Sequence, residues 1–266
     1  MQNTTFDKGF QKTMKLYRGD SLPRQVYVAS GRDRGRTFAD HFCGNGLMAK
    51  FGDRGMSTLL QGKDLLDIVL NHVGYDVSHH EEALADHSPL ISFSKDPETA
   101  FNFSERTGKK DLEECFLEEA THFMWELEIE LPSPSELGRY KFTYKADPVN
   151  CRMLIQEQLQ RGLLREAVRG DTETIAKAIM NAAAMHTADS DERDHYAELI
   201  DVVTYVQTQD TSRREKRLVD NTLQRSSRDL EWLLYPKDPM LNGHGFSARF
   251  SMNRHLRVYR CFRVKS

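Results

Sequence analysis

Hydrophobic positions along the chain follow two rhythms, and each predicts an element where it holds. In MKLYRGD (14–20), PLISFS (89–94) and HFMWELEIELP (122–132), apolar residues alternate with polar ones, as in half-buried strands. GRYKFTYKAD (138–147) reads as the continuation or the partner of the third run. GKDLLDIVLNHVG (62–74) instead repeats its apolar residues at helical spacing and stops on Gly74. KDPETAFNFS (95–104) opens a second helix, with Asp96 as cap and Pro97 in the first turn. From 151 to about 225 the rhythm is helical: CRMLIQEQLQRGLLREAVRG, TETIAKAIMNAAAMH and SDERDHYAELIDVVTYVQTQ each predict a helix, and SRREKRLVDNTLQRS is helix or loop. Strand rhythm returns in DLEWLLYP (229–236), GFSARFSM (245–252) and LRVYRCFRV (256–264). Strands, a helical block and strands again predict one α+β domain over 1–266, with a helical insertion at about 151–225.

A chain of 266 residues buries a sizeable core, and its composition excludes disordered and fibrous classes. The net charge of −3 does not advertise a polyanionic partner, but its distribution is uneven. Asp111 to Glu136 is acidic, whereas Arg249, Arg254, Arg257, Arg260, Arg263 and Lys265 share an end free of acids. A second basic run holds Arg213, Arg214, Lys216, Arg217, Arg225 and Arg228. Such runs are solvated faces or sites for an anionic ligand or nucleic acid. Cys43, Cys115, Cys151 and Cys261 contain no C-x-x-C pair, which argues against a structural zinc site and a disulfide framework. No signal peptide and no bilayer-length apolar run is visible, so a cytoplasmic setting is expected, in the chain's own cell or one it is delivered into, with no membrane partner.

Several familiar patterns fail. GRDRGRT (31–37) is one residue short of a phosphate loop and has Arg36 where lysine belongs, and GNG (44–46) follows no convincing strand. HHEE (79–82) sets potential metal ligands side by side, where neighbours do not converge on one ion. His186, Asp191 and His195 are explained as well by a capped helix start, so no metal is expected.

Three stretches belong together. Arg18 sits in an apolar strand, where a guanidinium is costly unless an anion meets it, and its planar fork suits phosphate oxygens. In Ile91-Ser92-Phe93-Ser94 the period of two puts both hydroxyls on one face. In Asp229-Leu230-Glu231-Trp232-Leu233-Leu234-Tyr235-Pro236, two carboxylates precede an otherwise apolar run. As a set, Tyr17-Arg18-Gly19, Ser92-Phe93-Ser94 and Asp229-x-Glu231 resemble the Arg-Ser-Glu class of mono-ADP-ribosyltransferases, the cholera-toxin-like and clostridial-toxin-like group.

That resemblance implies an ADP-ribosyltransferase-like split β-sandwich and an enzyme that moves ADP-ribose from NAD+ to a macromolecular acceptor, releasing nicotinamide. It assigns Glu231, Ser92, Arg18 and Asp229 to catalysis, and Arg18, Tyr17, Gly19, Ser92, Phe93 and Ser94 to holding NAD+. Asp229 departs from the Glu or Gln usual two positions before the glutamate, which leaves the acceptor open between a protein side chain and a nucleic-acid base. Residues 221–227 would form the loop that meets the target, and an antitoxin or immunity protein is the expected partner of a chain toxic to its own cell. Glu126, Glu128 and Glu130 offer a rival acid-x-Glu pattern; Glu231 is preferred because the family's glutamate lies in a late strand followed by one more. NAD+ glycohydrolysis, a non-catalytic nucleic-acid-binding module and a metal-dependent hydrolase around His186 are the competing readings.

Overall fold

The computed structural model describes residues 13–21, 46–49, 63–74, 88–103, 122–147, 150, 181, 194–237, 239–242 and 245–260. The first half contributes β1 (Thr13–Ser21), β2 (Leu47–Met48), α1 (Leu65–Gly74), β3 (Ile91–Ser94), β4 (His122–Glu130) and β5 (Arg139–Lys145). The second contributes β6 (Asp194–Asp201), α2 (Val202–Thr208), α3 (Lys216–Asp229), β7 (Glu231–Pro236), β8 (Pro239–Asn242), β9 (Gly245–Phe250) and β10 (Leu256–Arg260). A short helical stretch also follows β3 at 97–103. The fold is mixed, and its main sheet has seven strands in the order β10-β4-β1-β3-β7-β6-β5, every pair antiparallel. The sheet curls, so that β4 and β10 face β5 and β6 across a cleft. β2, β9 and β8 form a second, three-stranded sheet.

Local chemistry explains the element ends. Asp64 Oδ1 accepts from Asp67 N at 2.9 Å and starts α1, and Asp201 Oδ1 accepts from Thr204 N at 3.3 Å and starts α2. As expected, Asp96 caps the stretch after β3, its Oδ2 accepting from Thr99 N at 2.9 Å. α3 ends on Leu230 in the left-handed conformation, φ 49°, with its N–H bonded to Ser226 O. Leu66, Val69, Leu70 and Val73 of α1 pack with Val202, Tyr205 and Val206 of α2 and Val219 of α3 over Ile200 and Leu233, forming a core on one face of the sheet. On the other face Trp125, Leu127, Phe93 and Trp232 are buried, and Phe250 of the small sheet meets Tyr144 at 4.4 Å between ring centroids.

Four expectations are corrected. Residues 194–201, read as part of a helix, form β6, so the block at 151–225 is not wholly helical. Residues 197–200 are buried and β5 and β7 pair on both sides, so ladder bonds and two-sided burial outweigh helical spacing. β5 pairs with β6 and lies at the opposite end of the sheet from β4. Residues 221–227 belong to α3 and are not a loop. Among the described residues three strands follow β7, where two were expected, at 245–252 and 256–264; Pro239–Asn242 is the unexpected one. The patterns at 31–37 and 79–82, the four cysteines, His186, Asp191 and the predicted helices between 151 and 186, apart from residue 181, lie outside the described residues. No helix among the described residues is long and apolar enough to cross a membrane.

Candidate active site

β1, β3 and β7 are consecutive in the sheet, which brings Arg18, Ser92 and Glu231 together from three distant parts of the chain. Register sets the details. Ser94 lies opposite both Tyr17 and Glu231, and Ser92 lies opposite Leu233, so Ser92, Ser94 and Glu231 share the face that the helices cover. Phe93, fully buried opposite Trp232, faces the other way, as the alternation predicts. Arg18 also leaves β1 from that other side, beside Leu16 and opposite Trp125. It returns to the cluster through the sheet itself: Tyr17↔Ser94 is the registered pair of β1 with β3, and Arg18 Nη1 donates to Ser92 O at 3.1 Å. Among the described residues Arg18 Nε, which is buried, has no hydrogen-bond acceptor and lies 3.9 Å from Asp20 Oδ2, so the guanidinium keeps donor capacity for an anion. Gly19 is buried opposite Met124, one residue beyond Arg18 on β1.

Around Glu231 the polar contacts converge. Ser226 Oγ donates to its Oε2 at 3.5 Å, and Ser92 on the same face lies near enough to favour the ionised carboxylate. Burial pushes the Glu231 carboxyl up to about 7; the Ser92 hydroxyl pulls it back, the Asp229 charge adds to the rise, and Ser226 and the Arg225 charge oppose it. Ser92 Oγ also lies 2.9 Å from His72 Nε2 in the last turn of α1. When Ser92 donates to Glu231, its oxygen accepts from His72 Nε2–H. Ser94 serves a different end. Its hydroxyl donates to Asp229 O at 2.7 Å and accepts from Asp96 N at 3.0 Å, while Lys95 N donates to Leu230 O at 3.2 Å. These bonds pin the end of α3, the start of β7 and the helical stretch after β3 to one point.

Asp229 departs from the strand position that the motif implies. It is the last residue of α3, and β7 begins only at Glu231. The left-handed turn at Leu230 leaves that side chain half exposed, off the buried face of Trp232 and Leu234. The Asp229 carboxylate is held bidentate by Arg228, Nε to Oδ1 at 2.7 Å and Nη2 to Oδ2 at 2.8 Å. The rival glutamates lie elsewhere: Glu126 and Glu128 pair with Lys15 on β1 at 3.1 and 3.5 Å, and β4 does not adjoin β3. His72 escaped sequence reasoning, and Arg225 and Ser226 were placed in a basic run and a target-facing segment rather than beside Glu231, because nothing in a helical pattern tells which polar residue faces a distant strand. Among the described residues no group of three or more His, Cys, Asp or Glu is placed to hold a metal ion. The chain matches no known protein family, no curated protein and no solved structure.

Proposed function

We propose that the chain is an NAD+-dependent mono-ADP-ribosyltransferase with the split β-sandwich of that enzyme class, transferring ADP-ribose to a macromolecular acceptor. The observation that carries the reading is the adjacency of β1, β3 and β7, with Ser92 tied to Arg18 through its carbonyl and sharing a face with Glu231. Arg18 uses its spare donors on the diphosphate. Ionised Glu231 accepts a hydrogen bond from the 2′-hydroxyl of the nicotinamide ribose. As the bond from C1′ to the pyridinium nitrogen breaks, nicotinamide leaves with the electron pair and the ribose becomes oxocarbenium-like. A carboxylate bonded to its 2-hydroxyl binds more tightly as that charge develops, as in glycosidases. The acceptor attacks C1′ and gives up its proton. Ser92 and His72 fix the direction of the carboxylate, and Ser94 holds the α3–β7 junction that presents it.

The test is incubation of the purified protein with radiolabelled NAD+ and a cell lysate. Label is expected in a macromolecule, with release by protease or nuclease naming the acceptor class. Glu231→Gln should lower transfer by roughly 100- to 1000-fold, the scale of one lost transition-state interaction, while NAD+ binding persists. Nicotinamide release without label transfer, even with varied lysates, would identify a glycohydrolase. Untouched NAD+ would end the transferase reading.

A further inference from the structure

The basic C-terminal run plays no part in the cluster around Glu231, yet two of its arginines meet other cations in one place. A cleft of about 1280 Å³ lies where the curled sheet brings β4 and β10 opposite β5 and β6. Arg254 and Arg257 line one wall, and Lys141 and Lys237 line the other. Lys237 follows the last residue of β7 whereas Glu231 is its first, so about 20 Å of strand separates the two sites. Four cations face two carboxylates there, Glu128 and Glu130; Glu128 is met by Lys15 at 3.5 Å and Lys237 by Glu198 at 3.4 Å, which leaves Lys141, Arg254 and Arg257 facing Glu130. Arg254 is aimed by its neighbour: its Nε donates to His255 Nε2 at 3.2 Å, while His255 Nδ1 lies 3.2 Å from Glu128 O. Tyr196, 56% exposed, lies on the same face of the sheet as Lys141 and adds an aromatic surface beside it.

We propose that this cleft is a second binding site, separate from the Arg18–Ser92–Glu231 cluster, which takes a single strand of nucleic acid. The volume exceeds the ~300–1000 Å³ of small-molecule sites. A positive groove with aromatic faces is the arrangement that holds a strand by its phosphates and stacks its bases. A smaller cavity of about 530 Å³ continues past Arg254 and His255, but Asp147 and Asp194 balance Lys145 and Arg254 there, so the positive stretch ends at Arg254. The site uses no NAD+ and no turnover, and it stands whether or not the chain is a transferase.

Fluorescence anisotropy with a labelled strand of about ten nucleotides tests it. Tyr196→Ala should weaken binding roughly 5- to 150-fold, the range for one lost base stack, while Tyr196→Phe retains it. Arg254→Ala and Lys141→Ala should each lower the slope of log affinity against log salt by about 0.7. Glu231→Gln should bind like the unaltered protein. Absence of binding, equal affinity for a duplex or for inorganic polyphosphate, insensitivity to Tyr196→Ala, or a loss on Glu231→Gln would each overturn the proposal. Tyr196, Lys141 and Arg254 are exposed, so these variants keep the fold, as circular dichroism will verify.

Discussion

Burying Glu231 works against the ionisation its proposed role requires, and that conflict has two measurable consequences. With its carboxyl at about 7, kcat/KM of the proposed reaction should rise with pH through neutrality and fall away below it, because only the ionised carboxylate stabilises the developing positive charge through its hydrogen bond from the 2′-hydroxyl. The sign for stability is the reverse. Between an ordinary value of 4.5 and about 7 the folded chain holds a proton that the unfolded chain has released, so stability declines as pH rises across that window. Glu231→Gln removes the decline, and urea unfolding should find the variant more stable at pH 8 by on the order of 3 kcal/mol, with the gap closing towards pH 5. A stabilised variant that has lost activity marks a residue kept for chemistry. Leu230 carries a second local cost, since a left-handed conformation at a residue with a Cβ is unfavourable by about 1–2 kcal/mol. Leu230→Gly should raise the urea midpoint at unchanged m-value; a lower midpoint would mean that the half-exposed side chain packs better than its surroundings suggest.

The elements around the cluster matter through a few joints. Ser94 ties β3 to the α3–β7 junction and to the following helical stretch, so Ser94→Ala frees Asp229 O and Asp96 N together. A loss of about 1–3 kcal/mol is expected from chemical denaturation, with kcat falling more than KM because Glu231 loses its fixed approach. α1 must also come close to α3 to bring His72 to Ser92, and Gly74 makes that approach. A Cβ there would lie 2.3 Å from Thr222 Oγ1 and 2.5 Å from Leu218 O, so Gly74→Ala must push the helices apart. This joint was half visible in the sequence, where Gly74 reads as a helix stop but gives no sign that another helix lies against it. The same limit explains β6: alternation of His195, Ala197 and Leu199 competes with helical spacing of the same residues, and only the partners on either side decide between them. A charge or a hydroxyl in an apolar strand stands out in sequence at Arg18, Ser92, Ser94 and Glu231, but only the resemblance grouped them, since nothing in the sequence says that β1, β3 and β7 are neighbours. The side of the sheet from which Arg18 departs was not legible either, since that depends on the register between β1 and β3.

At the scale of the whole molecule, β7 joins the helical core to the layer between the sheets. Leu233 packs among α1, α2 and α3, while Trp232 and Leu234, its neighbours in sequence, are buried on the opposite face. The small sheet is fastened to the large one through Phe250, which meets Tyr144 and Phe142, and through Ser251 N, which donates to Tyr144 Oη at 3.3 Å. A strand buried on both sides couples the two layers, so neither should unfold alone. Phe250→Ala removes a fully buried ring far along the chain from Glu231, and the expected cost is about 3–5 kcal/mol. Leu233→Ala, on the helical side, should cost about 2–5 kcal/mol. Both variants should shift one common transition, followed equally by circular dichroism and by fluorescence of the two tryptophans, Trp125 and Trp232. Should Phe250→Ala instead split the curve, with tryptophan fluorescence and helical signal falling at different denaturant concentrations, the layers would be separate cooperative units, and Glu231 would depend on the helical core alone.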